Sequence, residues 1–251
     1  MSRRRRLLIR LLVAAGACAV GSPALCVVGP ASEDQSFAAH VVMVLKRGID
    51  RAGFCTGVVV APRAVLTAAH CVTAVKDMRV HYRDDGGRPV LIDVEAVAVH
   101  PGFRADAVTK RVVSIDLALV RTQTPLDARF SAAELDESGG VAVGRSLRIF
   151  GYGVAREGEG DSAGVLRSAA LRARAPLSAI LLWAEDPTGA GAGACTGDSG
   201  GPILSDDRRQ VLAIATWAAG SGARHCGTVT QGPLVAPQRG WIDSVLRAWR
   251  L

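Results

Sequence analysis

Gly197-Asp198-Ser199-Gly200-Gly201-Pro202 is the stretch on which the fold turns, because it admits two incompatible settings. The pattern G-x-S-x-G fits the nucleophile elbow of an α/β-hydrolase, where the serine sits between a strand and a helix and an acid and a histidine follow it. Gly200-Gly201-Pro202 is poor material for opening a helix. The downstream candidates Asp206, Asp207 and His225 stand in a chain that shows no β-α-β alternation. The elbow is rejected, and Ser199 is placed in a sharply bent, glycine-rich loop of a β-rich chain.

Outward from that loop the chain reads as short β-type runs separated by turns such as Asp85-Gly86-Gly87. The first half offers residues 41–45, 57–61, 64–67, 79–82, 90–99 and 117–121. A polar connector is expected over 122–140, and runs resume at 141–150, 165–173, 180–183, 202–204 and 211–216. Helical periodicity is convincing only over 239–250, where Trp241, Ile242, Val245, Leu246 and Trp249 form one apolar stripe. A short helical turn is expected after His70. Many short strands without alternating helices predict antiparallel barrels or a sandwich. With 251 residues, 49% of them hydrophobic, the chain has material for a sizeable core and is not intrinsically disordered.

Two further strings carry chemistry. Leu66-Thr67-Ala68-Ala69-His70-Cys71 supplies an imidazole, and Ser114-Ile115-Asp116-Leu117-Ala118-Leu119-Val120 a carboxylate ahead of an apolar run. A hydroxyl is a poor nucleophile unless a neighbouring base takes its proton. A bent glycine-rich backbone can also turn N–H groups inward to stabilise a developing oxyanion. Singly, each string has a bland reading: a solvated serine in a turn, a structural histidine beside a cysteine, an aspartate closing a loop. Together, in the order His70, Asp116, Ser199, they match one of the chain orders known for a single catalytic geometry.

With these residues the sequence resembles the chymotrypsin/trypsin-like serine protease family, over nearly all of residues 27–251. His100-Pro101-Gly102-Phe103 is similar to the family's His-Pro-x-aromatic turn, and Gly151-Tyr152-Gly153 to its Gly-aromatic-Gly strand. Thr216-Trp217-Ala218 is similar to the edge that pairs with substrate backbone, and Trp241-Ile242 to the start of the C-terminal helix. The resemblance implies an all-β fold of two antiparallel six-stranded β-barrels with a C-terminal α-helix. The first barrel would occupy about 27–125, and the second, with the helix, about 140–251. It further implies that Ser199 attacks the scissile carbonyl, that His70 serves as general base and then acid, and that Asp116 orients the imidazole. The N–H groups of Gly197 and Ser199 would form the oxyanion hole. The residues alone leave three pairings of the four cysteines beyond position 26 open. The resemblance selects Cys55–Cys71 and Cys195–Cys226.

Residues 1–26 read as a signal peptide. A cationic start holds Arg3, Arg4, Arg5, Arg6 and Arg10, residues 11–20 are apolar, and Ala24 and Cys26 are small residues at −3 and −1. The chain has 30 basic residues; the 25 outside this leader face 23 acidic ones, so most of the formal +7 belongs to the leader. A nucleic-acid partner thereby loses its compositional support. The expected location is secreted, extracellular or periplasmic, where cysteines pair, and no tight C-x-x-C pair suggests a metal site. No uninterrupted apolar stretch of about 20 residues occurs, so a conventional spanning helix is not expected. No cofactor or metal is expected; the partner is a protein or peptide substrate, and the chain is expected to act as a monomer.

Val27-Val28-Gly29-Pro30 resembles the Ile-Val-Gly-Gly start that the family frees by cleavage, whose α-amino group pairs with the aspartate before the serine, here Asp198. Signal cleavage after Cys26 would coincide with that cut, so export itself is expected to produce the active N-terminus. By the same resemblance Gly193, Ala194, Thr216, Trp217 and Ala218 form the substrate pocket, with Gly193 at its floor. No acid stands at an expected pocket position to pair with a buried cation. Ala218 narrows the entrance and Thr230 sits deeper, so cleavage after small or medium apolar residues is expected. The competing readings are an esterase on the same fold and a catalytically silent homologue acting as a binding or adhesion module.

Overall fold

The short runs bury one face or, as in Ala64–Thr67, both, and a computed structural model describes how residues 27–48, 52–110 and 112–251 assemble around them. The expected leader lies outside the described residues. A two-residue strand, β1 (Ser32–Glu33), joins the second half of the molecule. The first barrel comprises β2 (Val41–Arg47), β3 (Ala52–Ala61), β4 (Ala64–Thr67), β5 (Met78–Arg83), β6 (Pro89–Val99) and β7 (Ala118–Thr122). It closes in the order β2-β3-β4-β7-β6-β5, with every ladder antiparallel.

The second half contains β8 (Glu134–Leu135), β9 (Ser146–Gly151), β10 (Arg167–Ala173), β11 (Leu181–Glu185), β12 (Pro202–Ser205), β13 (Gln210–Ile214), β14 (Trp217–Ala219) and β15 (Val229–Pro233). With β1 they form a nine-stranded sheet whose path is β14-β15-β11-β10-β9-β12-β13-β8. The sheet curls so that β13 meets the end of β15. That seam is held by an isolated Ala213–Leu234 bridge and by Val235 N–H donating to the Leu212 carbonyl, not by a full ladder. Pro233, with no N–H to give, sits where such a ladder would run.

Some elements escape the apolar pattern. The sequence β15, Val-Thr-Gln-Gly-Pro, does not alternate, and β8 falls inside the expected connector as a parallel partner of β13. A single turn, α1 (Ala107–Lys110), carries too few residues to show a period. The expected C-terminal helix is present as α2 (Arg239–Ala248). Ile242 on its stripe is fully buried, and Trp241, Val245, Leu246 and Trp249 pack beside it. Burying the Ile242 side chain contributes about 2 kcal/mol.

The two halves have separate cores, with a third apolar layer between them built from Phe37, Val41, Leu66, Leu117, Leu119, Phe150 and Ile214. This layer ties β4 and the approach to β7 to β9 and β13, which bear on the loop that holds Ser199.

Candidate active site

His70 lies in a 3-10 turn, Ala69–Cys71, that continues directly from β4. Asp116 lies just before β7, the antiparallel neighbour of β4. The carboxylate grips the histidine twice: Oδ1 accepts the His70 backbone N–H at 2.9 Å, and Oδ2 lies 2.7 Å from ring Nδ1. The first bond fixes the turn and the second fixes the ring, which leaves Nε2 free of the carboxylate. The Asp116 loop is itself fastened by the His100–Phe103 turn, where Gly102 and His100 exchange hydrogen bonds with Ile115 and Leu117. His100 is buried edge-on against Trp241 of α2 at 4.7 Å, and desolvation holds its imidazole below the ordinary range. It is a structural histidine.

Ser199 is half-buried in the loop before β12. That loop is pinned from both halves. Its Ser199 carbonyl accepts the Thr56 N–H at 2.8 Å, and Gly200 N–H donates to the Ala215 carbonyl at 2.7 Å. Gly200 has φ +85°, and an added Cβ would collide with Thr56 O and Thr67 Oγ1, so only glycine fits. Cys71 Sγ lies 3.6 Å from His70 Nε2 and 3.8 Å from Ser199 O, which sets the serine beside the histidine. Among the described residues, Ser199 Oγ makes no hydrogen bond to the imidazole. Base–nucleophile bonds in free enzymes are often long and tighten with substrate. The N–H groups of Gly197 and Ser199 have no acceptor among the described residues, as donors awaiting an oxyanion would.

Thr56, missed in the sequence, is the joint between the halves. It is fully buried, donates through Oγ1 to the Gly197 carbonyl at 2.9 Å, and accepts Tyr152 N–H at 3.0 Å. Thr67 Oγ1 in turn donates to the Thr56 carbonyl at 2.8 Å. The available signal was a lone polar residue inside the apolar run of β3. Thr56→Val keeps the volume but leaves the Tyr152 N–H and the Gly197 carbonyl unpaired, at about 1–3 kcal/mol each. Thermal denaturation should show a lower Tm, and kinetics a fall in kcat larger than any change in KM.

Asp198 is fully buried between Ser199 and Gly197. Its Oδ2 accepts Cys195 N–H and its Oδ1 accepts Gly153 N–H, both at 2.9 Å. Burial nevertheless raises its carboxyl to about 7 against the pull of those two donors. Val27 is fully buried in the second-barrel core, and Gly193 N–H donates to the Val28 carbonyl at 3.2 Å. The expected disulfides are present, Cys55–Cys71 with Cα atoms 6.1 Å apart and Cys195–Cys226 with 5.1 Å. Cys55, His70 and Cys71 bring potential metal-ligand atoms within 4.8 Å, but both cysteines are consumed by the disulfide and offer no thiolate.

Thr216 and Trp217 line a cleft of about 890 Å³ together with His70, Asp116, Phe103 and Trp183. Trp183 and Trp217 meet edge to face at 6.3 Å. Gly193 and Ala194 are buried instead of open to this cleft, and Ala218 packs on the second-barrel core. The reason is Thr230: fully buried, it accepts Ala194 N–H at 3.0 Å, and its Oγ1 stands 3.0 Å from where a Gly193 Cβ would be. His40 and His81 each bond a backbone carbonyl through Nδ1, and His225 N–H donates to Glu157. Residues 206–209 form the turn between β12 and β13.

Two β-barrel halves that meet along an apolar layer, with a His–Asp pair and a glycine-bound serine at their junction, define a trypsin-like serine protease fold. The family model described as Trypsin matches residues 26–236, and the chain belongs to that family. The vitellin-degrading protease of Bombyx mori is 30% identical over 237 residues, covering 85% of this chain and 83% of that one. Neuropsin, titled a serine protease expressed in the limbic system of mouse brain, superposes with a TM-score of 0.69 at 22% identity, covering 87% of this chain and 99% of its own. A scabies mite inactivated protease paralogue superposes equally well, with a TM-score of 0.69 at 19% identity, covering 86% of this chain and 97% of its own.

Proposed function

We propose that the chain is a secreted serine endopeptidase that cleaves peptide bonds through Ser199, His70 and Asp116. The observation that carries the reading is the double grip of Asp116 on His70, at 2.9 Å to the backbone and 2.7 Å to the ring. It holds Nδ1 as the donor and leaves Nε2 as the base. Ser199 Oγ attacks the scissile carbonyl as its proton passes to His70 Nε2. The N–H groups of Gly197 and Ser199 receive the oxyanion, and His70 returns the proton to the departing amine. Water then repeats the sequence on the acyl-enzyme.

Export through residues 1–26 and cleavage before Val27 complete the proposal. Val27 has φ +47°, a conformation that a β-branched residue holds at a cost of about 1–3 kcal/mol. That torsion ceases to exist once the preceding peptide bond is cut. The freed α-amino group would supply a cation to buried Asp198, which has none among the described residues. Two disulfides suit an oxidising extracellular or periplasmic setting, and among the described residues no helix is long and apolar enough to cross a membrane.

Thr230 supports a preference for small or medium apolar residues before the cut. Thr230→Gly opens the floor beside Gly193. A panel of peptides varied at that position should show kcat/KM for Phe rising about tenfold relative to Ala, a gain of the size one buried hydrophobic contact provides. A wild-type preference for Arg would contradict the assignment.

The absent Ser199–His70 bond favours the second reading, a silent homologue acting as a binding module. An organophosphonate probe separates the two. Stoichiometric labelling that disappears in Ser199→Ala establishes the enzyme; no labelling of a protein that begins at Val27 establishes the binder.

A further inference from the structure

His70 lines the larger of two hollows that share no lining residue, and its carbonyl is bonded by Lys46, which lines the smaller. The larger holds Thr216 and Trp217, beside the edge strand β14, whose free backbone groups suit the acyl side of an extended substrate. The smaller has a volume of about 420 Å³ and includes Phe54 and Lys46 in its lining. Phe54 in its wall presses on Gly197, so closely that any Cβ there would collide with the ring. Lys46, also in its wall, donates from Nζ to the His70 carbonyl at 2.7 Å. This hollow therefore adjoins both the oxyanion glycine and the histidine, where the chain beyond the scissile bond must leave.

Its charge is one-sided. Among the described residues, Lys46, Arg47, Lys76 and Arg79 line it with a single carboxylate, Asp77. Arg47 is engaged by Asp77 at 3.2 Å, and Arg79 by Asp93, outside the lining, at 2.7 Å. Lys76 makes no ion pair among the described residues. The half-buried Lys46 ammonium offers three donors, of which the His70 carbonyl takes one. Its neighbouring carboxylate, Asp116, is held by His70. Desolvation pulls Lys46 below the ordinary lysine range, with Asp116 opposing. Two ammonium charges thus line a hollow whose apolar lining includes Leu45 and Phe54. A partly desolvated cation is best satisfied by an anion with hydrogen-bonding oxygens.

We propose that this hollow binds a carboxylate on the leaving side of the scissile bond, so that the protease selects substrates with Asp or Glu one to three residues after the cut. The proposal rests on the peptidase reading above, and it names a substrate class for that site. The carboxylate is either an acidic side chain or the free C-terminus of a short leaving peptide, and the two are separable.

The test uses peptides with one acyl side and a varied leaving side. Amidated peptides carry Glu, Gln or Lys at the first, second or third position after the cut, and a further Gln set ends in a free acid. A 4-nitroanilide with the same acyl side, lacking leaving-side residues, normalises each variant. At low salt, kcat/KM for Glu should exceed that for Gln roughly tenfold at one of these positions and fall toward it at high salt, with Lys slowest. Lys46→Met and Lys76→Gln should each bring the Glu/Gln ratio toward one. Discrimination only by the free acid would assign the hollow to the C-terminus and overturn the side-chain specificity. A wild-type ratio near one at every position, or a ratio that survives both substitutions together, overturns the proposal outright. Failure to cleave the nitroanilide sinks the peptidase reading instead. Binding of labelled Glu and Gln leaving-side peptides to Ser199→Ala, followed by anisotropy, still decides whether the hollow prefers the carboxylate.

Discussion

Ser199→Ala is expected to lower kcat by about 10⁵–10⁶ while KM changes less than tenfold, because the serine is asked to supply the covalent step and little of the ground-state binding. Asp116→Asn should cost about 10⁴, since an amide cannot hold Nδ1 as the donor and the imidazole is left in the unproductive tautomer. Combining the two should cost scarcely more than Ser199→Ala alone, because residues that act as one unit are not additive. The measurements are steady-state kinetics on one peptide substrate, with circular dichroism to show that each variant is folded. A drop of less than tenfold in Ser199→Ala would remove the serine from the chemistry.

Protein that begins at Val27 is expected to be about 10²–10³ times more active than protein that retains even two residues ahead of it. The loop bearing the two proposed oxyanion donors is arranged around the Asp198 carboxylate, which lies between Gly197 and Ser199 and accepts the Gly153 and Cys195 N–H groups. Losing one such donor carries a penalty of that size. In the retained form Asp198 has no cation partner among the described residues, and burial raises its carboxyl to about 7 from 3.8. A carboxyl raised on folding favours the folded state fully below the unfolded value, and that contribution is lost as pH climbs through the folded one. The extended form should therefore lose about 4 kcal/mol of stability between pH 4 and 7 that the form starting at Val27 keeps. Thermal melts of the two forms across that range test the stability claim, and peptide hydrolysis tests the activity. Equal activity and parallel pH profiles would show that Asp198 needs no partner. N-terminal sequencing of exported protein should read Val27; another start would separate export from activation.

How much of this was legible depended on how local each signal was. Strand β4 reads directly from Ala64–Thr67 because three apolar residues and a β-branched threonine lie between turns. The period of α2 was plain because Ile242, Val245, Leu246 and Trp249 must share one buried face. β15 stayed hidden because its partners β11 and β14, rather than its own alternation, hold it in place. Thr56 stayed hidden for a related reason: its partners Gly197 and Tyr152 lie 141 and 96 residues away. Thr230 was expected deep in the pocket, yet only the tertiary structure shows its buried bond to Ala194.

The order of His70, Asp116 and Ser199, the bent loop around the serine, and the β-rich character all follow from residue identity and spacing, since chain order and local backbone freedom are properties of the string itself. The contacts that give those residues their setting arise only when two halves press together along an apolar layer, because hydrogen bonds across 96 or 141 residues have no local signature. Burial of Asp198, the packing of Thr230 on Gly193 and, among the described residues, the gathering of cations beside Phe54 were decided there, by which groups the packed chain removes from water and which it leaves facing one another.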